Sequence, residues 1–394
     1  MVILAALGYF VDIYDLTLFG IVRKPSLEAL GITDDQMLEV GAALMNWQMG
    51  GMLLGGLLWG ILADKKGRLS VLFGSIIMYS LANIANGFVT TVPMYSFLRF
   101  IAGIGLAGEL GTGITLVTET MDKKNRGYGT MIVAGIGLFG AVAGNLVAGI
   151  FDWRISYFVG GGMGICLLLL RFGVYESGMF ASIQSKSVNK GNFLQLFRSW
   201  KSTLKYFSVI MIAVPVWFVV GILMYFSPEL GKTMGLPGIK AGDAIMYAYI
   251  GIAFGDLASG LVSQLLKSRK KALLIFLLMT VFFTILYYFL AFKSLFAFYT
   301  LAVCVGFSTG YWAVFMTSAA ELYGTNIRAT VTTTAPNFVR GAVVLLNSGF
   351  VFFNGVTGNN ISSSIILGVI TFTLAFLALW RIEETFGKDL DYTE

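Results

Sequence analysis

Six ionisable side chains stand inside long apolar runs: Asp12, Asp15, Arg99, Glu109, Asp256 and Arg340. A charge in that setting is costly and by default marks a proton, ion or ligand site. A carboxylate beside a guanidinium stays ionised, and one desolvated without it holds a proton, so such a group can take up and release protons. The planar fork of an Arg suits a carboxylate or phosphate. The six charges sum to −2. The chain has no His, which excludes a histidine relay and a His-based metal site. Cys166 and Cys304 both lie in apolar runs and read as small buried hydrophobes, not as a disulfide. No metal and no cofactor is expected.

The elements that carry these residues follow from composition. Of 394 residues 57% are hydrophobic and 12% charged, against ~25% charged in a soluble domain. Mean hydropathy is +0.81. These values exclude a soluble enzyme, a disordered chain and a nucleic-acid binder. The net charge of +6 then belongs to basic loops at a membrane surface. A bilayer core takes about 20 residues of helix. Spans of that kind run at roughly 2–22, 40–63, 70–91, 93–119, 128–150, 156–174, 204–226, 243–266, 271–291, 294–319, 330–355 and 361–381. The expected fold is all-α and integral to the membrane: an N-terminal bundle of six spans (1–174), a central loop (175–203) and a C-terminal bundle of six (204–394). The first run is too long for a cleavable signal and carries two Asp.

Loop charge sets the orientation. With the N-terminus in the cytoplasm, 19 Lys and Arg fall in inner loops and 6 (Arg23, Lys24, Arg154, Lys232, Lys240, Lys293) in outer ones. Both termini are therefore expected inside. The halves also repeat: Glu119 precedes Arg126 by seven residues, and Glu321 precedes Arg328 by seven, at an offset of 202. Duplicated six-helix halves with a substrate site between them are a transporter design.

Three segments resemble a known family. GILADKKGR (Gly60 to Arg68) is similar to the cytoplasmic 2–3 loop signature of the major facilitator superfamily. RFIAGIGLAGE (Arg99 to Glu109) resembles the fourth-helix signature of its metabolite–proton symporters, and FVDIYDL (Phe10 to Leu16) the Asp-rich first helix of its aromatic-acid and organic-anion branches. The second half departs from the loop signature, because LLKSRKK has no Asp matching Asp64.

The resemblance implies two pseudo-symmetric six-helix bundles with the first and fourth helices on a central cavity. Asp15 and Arg99 lie about 10 and 9 Å below the outer surface at ~1.5 Å per residue, so an Asp15–Arg99 pair is expected, with Asp12 one turn deeper on the same face. Such a pair is either a proton-coupling device or a fixed strut between helices. Glu109 is a second proton site, an inner-gate ligand or structural. Arg340, near mid-depth after Pro336 and Asn337, is either a substrate anchor or the partner of Asp256 at similar depth. Asn46, Trp47, Gln48, Asn145, Trp217, Tyr225, Tyr311, Trp312 and Asn347 are further cavity candidates. The resemblance implies that Asp64 and Arg68 hold the inner gate shut. The end-of-helix pairs Glu119–Arg126 and Glu321–Arg328 suggest further gate contacts.

Gly103, Gly105 and Gly108 spell GxGxxG, but inside an apolar span and with no preceding strand, so this is no dinucleotide site. The function expected is ion-driven transport: symport of a small organic anion with protons or another coupling cation. Efflux of a cationic or amphipathic compound, and a non-transporting receptor or lipid scrambling scaffold, are the alternatives. The partners expected are a small molecule, protons and lipid, with no nucleic acid, in a monomeric plasma-membrane protein.

Overall fold

An apolar run in lipid must satisfy its own backbone, and a helix does so within one segment. The computed structural model describes residues 2–66, 68–109, 111, 126–171, 193–323 and 325–387. Among them there are helices and no strands. They are α1 (Val2–Ala29), α2 (Met37–Lys66), α3 (Arg68–Asn86), α4 (Val92–Leu106), α5 (Arg126–Ile150) and α6 (Trp153–Arg171), then α7 (Trp200–Phe218), α8 (Ala241–Leu265), α9 (Arg269–Leu290), α10a (Leu295–Thr309), α10b (Trp312–Glu321), α11 (Thr325–Thr357) and α12 (Asn360–Arg381). A short helix, Ser227–Thr233, follows α7. Among the described residues nine spans are long and apolar enough to cross a membrane, with α10a and α10b counted as one. The shorter apolar helices α3 and α4, together with α2, bring the spans to twelve.

Helix starts follow local chemistry. Thr91, Ser199, Ser268, Ser294 and Asn359 are N-caps whose side-chain oxygens accept backbone N–H bonds from the first turns of α4, α7, α9, α10a and α12. Two spans depart from a plain helix. Pro215 removes a donor inside α7, and a π turn over Val219–Met224 follows, closed by Tyr225 N–H to Val220 O at 3.0 Å. The tenth span, expected to run unbroken, is interrupted at Gly310 and Tyr311. There Gly310 is packed so tightly on Gly255 of α8 that a Cβ would lie 2.5 Å from Gly255 Cα.

The packing obeys a two-fold rule. In the first half α1 packs on α5 and α6, α2 on α4, and α3 on α4 and α6. Adding six to each number gives the pairs of the second half: α7 on α11 and α12, α8 on α10a, α9 on α10a and α12. The halves meet through α2 against α11 and through α5 against α8, which the same operation exchanges. Glycines set these crossings. A Cβ on Gly51 or Gly55 of α2 would collide with the carbonyl oxygens of Phe100 and Ile104 on α4. Gly251 and Gly255 of α8 stand in the same relation to Val303 and Phe307 of α10a. Small residues four apart let the backbones approach, as in membrane helix pairs generally. The GxGxxG stretch is explained likewise: Gly103 faces the Gln48 carbonyl of α2, Gly105 the Tyr79 backbone and Gly108 Ser75 of α3.

Candidate functional site

Arg340 extends from α11 to Asp12 on α1, with Nη2 3.6 Å from Oδ2. Both are buried, at 2% and 0% exposure. At that distance the pair is electrostatic and not hydrogen-bonded. Neither Asp12 oxygen has a hydrogen-bond partner, and Nε and Nη1 of Arg340 have none either. Arg340 lines a cavity of about 30 Å³ with Tyr9, Trp217, Tyr249 and Trp312 amid aliphatic side chains. A second cavity of about 10 Å³, with Gln48 and Tyr225 on its wall, shares Leu16, Trp217 and Val220 with the first. Spaces of this size hold at most a few waters. Among the residues lining the two cavities Arg340 carries the one charge.

The expected Asp15–Arg99 pair is not made. Arg99 donates to Asn83 Oδ1 (Nη2, 2.6 Å) and Asn86 Oδ1 (Nε, 3.3 Å) on α3, and its guanidinium lies 4.7 Å from the Tyr157 ring centre. Two amides within reach on the neighbouring helix displaced the carboxylate, and equal depth did not make contact. Asp15 is fully buried with both oxygens unpartnered, against Gly160. The expected Asp256–Arg340 contact is also not made. Asp256 accepts the Ala313 N–H at 3.1 Å and so caps α10b, whose first turn the Gly310–Tyr311 break leaves open. Glu109 is held from two sides by Arg171 of α6: Nη2 to Oε1 at 2.6 Å and Nη1 to Oε2 at 3.1 Å. Arg171, assigned to a loop by the sequence, is 4% exposed.

The other candidates divide. Gln48 donates to Leu16 O and Asn337 to Ala107 O, the latter across the two halves. Asn46 pairs with Asn347 and Ser348 across the same boundary. Asn145 of α5 donates to Asp243 of α8 at 2.8 Å. Trp217 lines both cavities, whereas Trp47 is half exposed. Tyr311 is buried, donates to Ile212 O and lines neither cavity. Of the residues expected at a gate, Glu321 forms an ion pair with Arg269 at 3.1 Å. Glu119 and the side chains of Asp64, Arg68, Arg126 and Arg328 lie outside the described residues.

One buried charge contact escaped the sequence. Arg23, counted among outer-loop charges, is 2% exposed and pairs with Glu229 at 2.6 Å, between α1 and the short helix after α7. The signal was α1 itself: its apolar face continues to Leu27, so Arg23 stands one turn inside the packed surface.

Comparison with known proteins agrees with this architecture. The chain is 28% identical over 409 residues to a provisionally named metabolite transport protein of Haemophilus influenzae, covering 98% of this chain and 96% of that one. It is 25% identical to a probable 4-methylmuconolactone transporter of Cupriavidus pinatubonensis, over 96% of this chain and 89% of that one. Its fold matches the proton:xylose symporter XylE with a TM-score of 0.74, at 17% identity, over 99% of this chain and 97% of that one. The model of the Major Facilitator Superfamily matches residues 5–346. The duplicated helices and this match make the chain a transporter, not an enzyme, and a member of the Major Facilitator Superfamily.

Proposed function

We propose that the protein is a proton-coupled symporter of small organic anions. The observation that carries this reading is Arg340, which lines an aromatic-walled cavity between the halves and is only loosely paired with the buried Asp12. Arg340 cannot lose its charge, so it always needs an anionic partner. In the empty cavity Asp12 serves. A substrate carboxylate offers a better match, because Nε and Nη1 are free to receive it. Once the substrate takes the guanidinium, Asp12 loses its counter-charge and accepts a proton. Anion and proton then cross together, and their release restores the pair. Tyr9, Trp217, Tyr249 and Trp312 offer faces for an unsaturated or aromatic skeleton, in keeping with a relative named for a muconolactone.

Export of a cation fits this site poorly, since the one charge among the described lining residues is positive. The six-helix halves, 1–174 and 204–394, rock about the site and the 175–203 segment links them. The basic loops lie in the cytoplasm with both termini, in a monomer of the plasma membrane. Asp64, Arg68, Glu119, Arg126, Glu321 and Arg328 serve the cytoplasmic gate. Purified protein in liposomes loaded with a pH dye tests the reading. A carboxylate from a panel of acids, amines and sugars should drive proton entry. If only amines do, or if transport moves no protons, the reading fails.

A further inference from the structure

Polar side chains stand on the walls of both cavities, and they differ in what they leave unused. In the smaller cavity Gln48 donates to Leu16 O at 3.3 Å, Thr17 to Ile13 O at 2.8 Å and Tyr225 to Gly41 O at 3.2 Å. Backbone carbonyls of the protein thus take up all three groups. The larger cavity is different. Three buried polar atoms of its lining residues have no hydrogen-bond partner: Nε and Nη1 of Arg340 and Nε1 of Trp312. All three are N–H donors, and neither side chain can accept a hydrogen bond. A buried tryptophan N–H ordinarily finds an acceptor. Trp59 does so in this same molecule, donating to Ile104 O at 2.6 Å.

Trp312 is fixed through its chain neighbours. It opens α10b, directly after the break at Gly310 and Tyr311. The Tyr311 hydroxyl donates to Ile212 O of α7 at 3.0 Å, and the Ala313 N–H to Asp256 of α8 at 3.1 Å. The residues before and after Trp312 are thus tied to two different helices. Its indole lies 5.2 Å, centre to centre, from the Phe315 ring. A group anchored in this way loses little freedom when an acceptor arrives. Arg340, 2% exposed, reaches the same cavity from α11. The cavity therefore has unspent donors from two helices, on a cation and on a neutral ring, within a wall otherwise aliphatic and aromatic.

We propose that Trp312 determines specificity: its indole N–H binds a second acceptor of the substrate while Arg340 binds the carboxylate. The site then selects acids that carry a further acceptor, such as a ring nitrogen, a carbonyl or a hydroxyl oxygen. This deepens the organic-anion reading above and rests on it. A plain hydrocarbon acid displaces water from the indole N–H and gives it no acceptor in return. A site built to hydrogen-bond a group rejects the analogue lacking that group far more strongly than an apolar pocket does. A substituent that only donates, such as an ammonium, gains nothing at the indole and meets the charge of Arg340.

The test measures binding, in detergent, of benzoate, of the pyridine monocarboxylates, which replace one ring C–H by nitrogen, and of the hydroxybenzoates. Wild type should bind at least one acceptor-bearing acid about 10-fold more tightly than benzoate, the step expected for one gained hydrogen bond. Trp312→Phe keeps an aromatic wall and removes the N–H. It should bring that preference below about 3-fold and leave benzoate itself within about 3-fold of wild type. If the Phe protein fails to fold, the benzothienyl analogue of tryptophan, placed at 312 by stop-codon suppression, exchanges N–H for sulfur and keeps the bicyclic ring. It should give the same result. A wild type without preference over benzoate overturns the proposal and leaves the organic-anion reading standing, and so does a variant that keeps the preference. Equal weakening of every acid in the variant also overturns it, because the ring would then serve only as wall. Should wild type bind none of the acids, the organic-anion reading falls and the proposal with it.

Discussion

A single guanidinium nitrogen of Arg23 lies 2.6 Å from Oε1 and 2.8 Å from Oε2 of Glu229, joining the first half of the chain to the second at the end opposite the basic loops. Tyr225 and Phe226 flank the cation at 4.8 and 5.0 Å. A buried pair with aromatic walls is strong only while both partners stay. Removing one leaves an unpaired buried charge, at about 3–5 kcal/mol.

That asymmetry would let the contact serve as a latch for the outer face. Glu229→Gln should shift the population toward the state open on that side, since the gap between such states is a few kcal/mol. A cysteine at Met45, on the wall of the smaller cavity, in a background without Cys166 and Cys304, would report it. An impermeant maleimide added from the outside should react at least 5-fold faster. Equal rates would reduce the pair to a strut.

Arg340→Lys keeps the charge but loses the fork. Binding of the transported acid in detergent should weaken 10-fold or more, consistent with about 1.5–3 kcal/mol for a charged hydrogen bond. Asp12→Asn should bind equally or more tightly, because a competitor for the guanidinium is gone, yet lose uphill uptake. Should Arg340→Lys bind like wild type, the anion reading loses its anchor.

Asp256 offers a contrast. As an N-terminal cap on α10b it should tolerate Asn, which caps as well as Asp, while Asp256→Ala should cost about 1 kcal/mol of stability. Substrate affinity should change less than 3-fold in Asp256→Asn. A 10-fold change would return Asp256 to the binding machinery.

At the basic end Glu384 binds Ser268 and the backbone N–H groups of Arg269 and Lys270, fastening the segment after α12 to the start of α9. Partial burial opposes ionisation there. The hydrogen bonds from Ser268 and from the backbone of Phe386, Arg269 and Thr385 outweigh it and hold the carboxyl at about 2, below its ordinary 4.5. A depressed value stabilises the folded form above the ordinary value, and that contribution is lost as pH falls from about 4.5 toward 2. Amides at 383–387 should therefore be protected at pH 6, and their protection factors, corrected for the intrinsic exchange rate at each pH, should fall between pH 4.5 and 2. Glu384→Gln should show low protection factors at both ends of that range. Protection of the variant equal to wild type at pH 6 would rule the fastening out.

The sequence by itself determined the membrane fold, the twelve spans and the set of charged residues that need partners. These follow from local quantities: an apolar run long enough for lipid must be helical, and a charge within it must be paired. It could not decide the partners. Depth along a helix gave Asp15 and Arg99 the same level, but rotation of α3 put Asn83 and Asn86 closer to the guanidinium. Asp256 and Arg340 shared a level too, yet a break at Gly310–Tyr311 opened backbone donors that took Asp256, and the long Arg340 side chain reached from α11 to Asp12 on α1. The repeat of Gly51 and Gly55 in Gly251 and Gly255 was present in the letters, but its meaning needed the carbonyls that those glycines touch. Arg23 and Arg171 were read as loop charges because loops were bounded by hydropathy, and packing carried both helices further. Which charge meets which is set by the azimuth and crossing of helices distant in sequence, and only the tertiary structure fixes those.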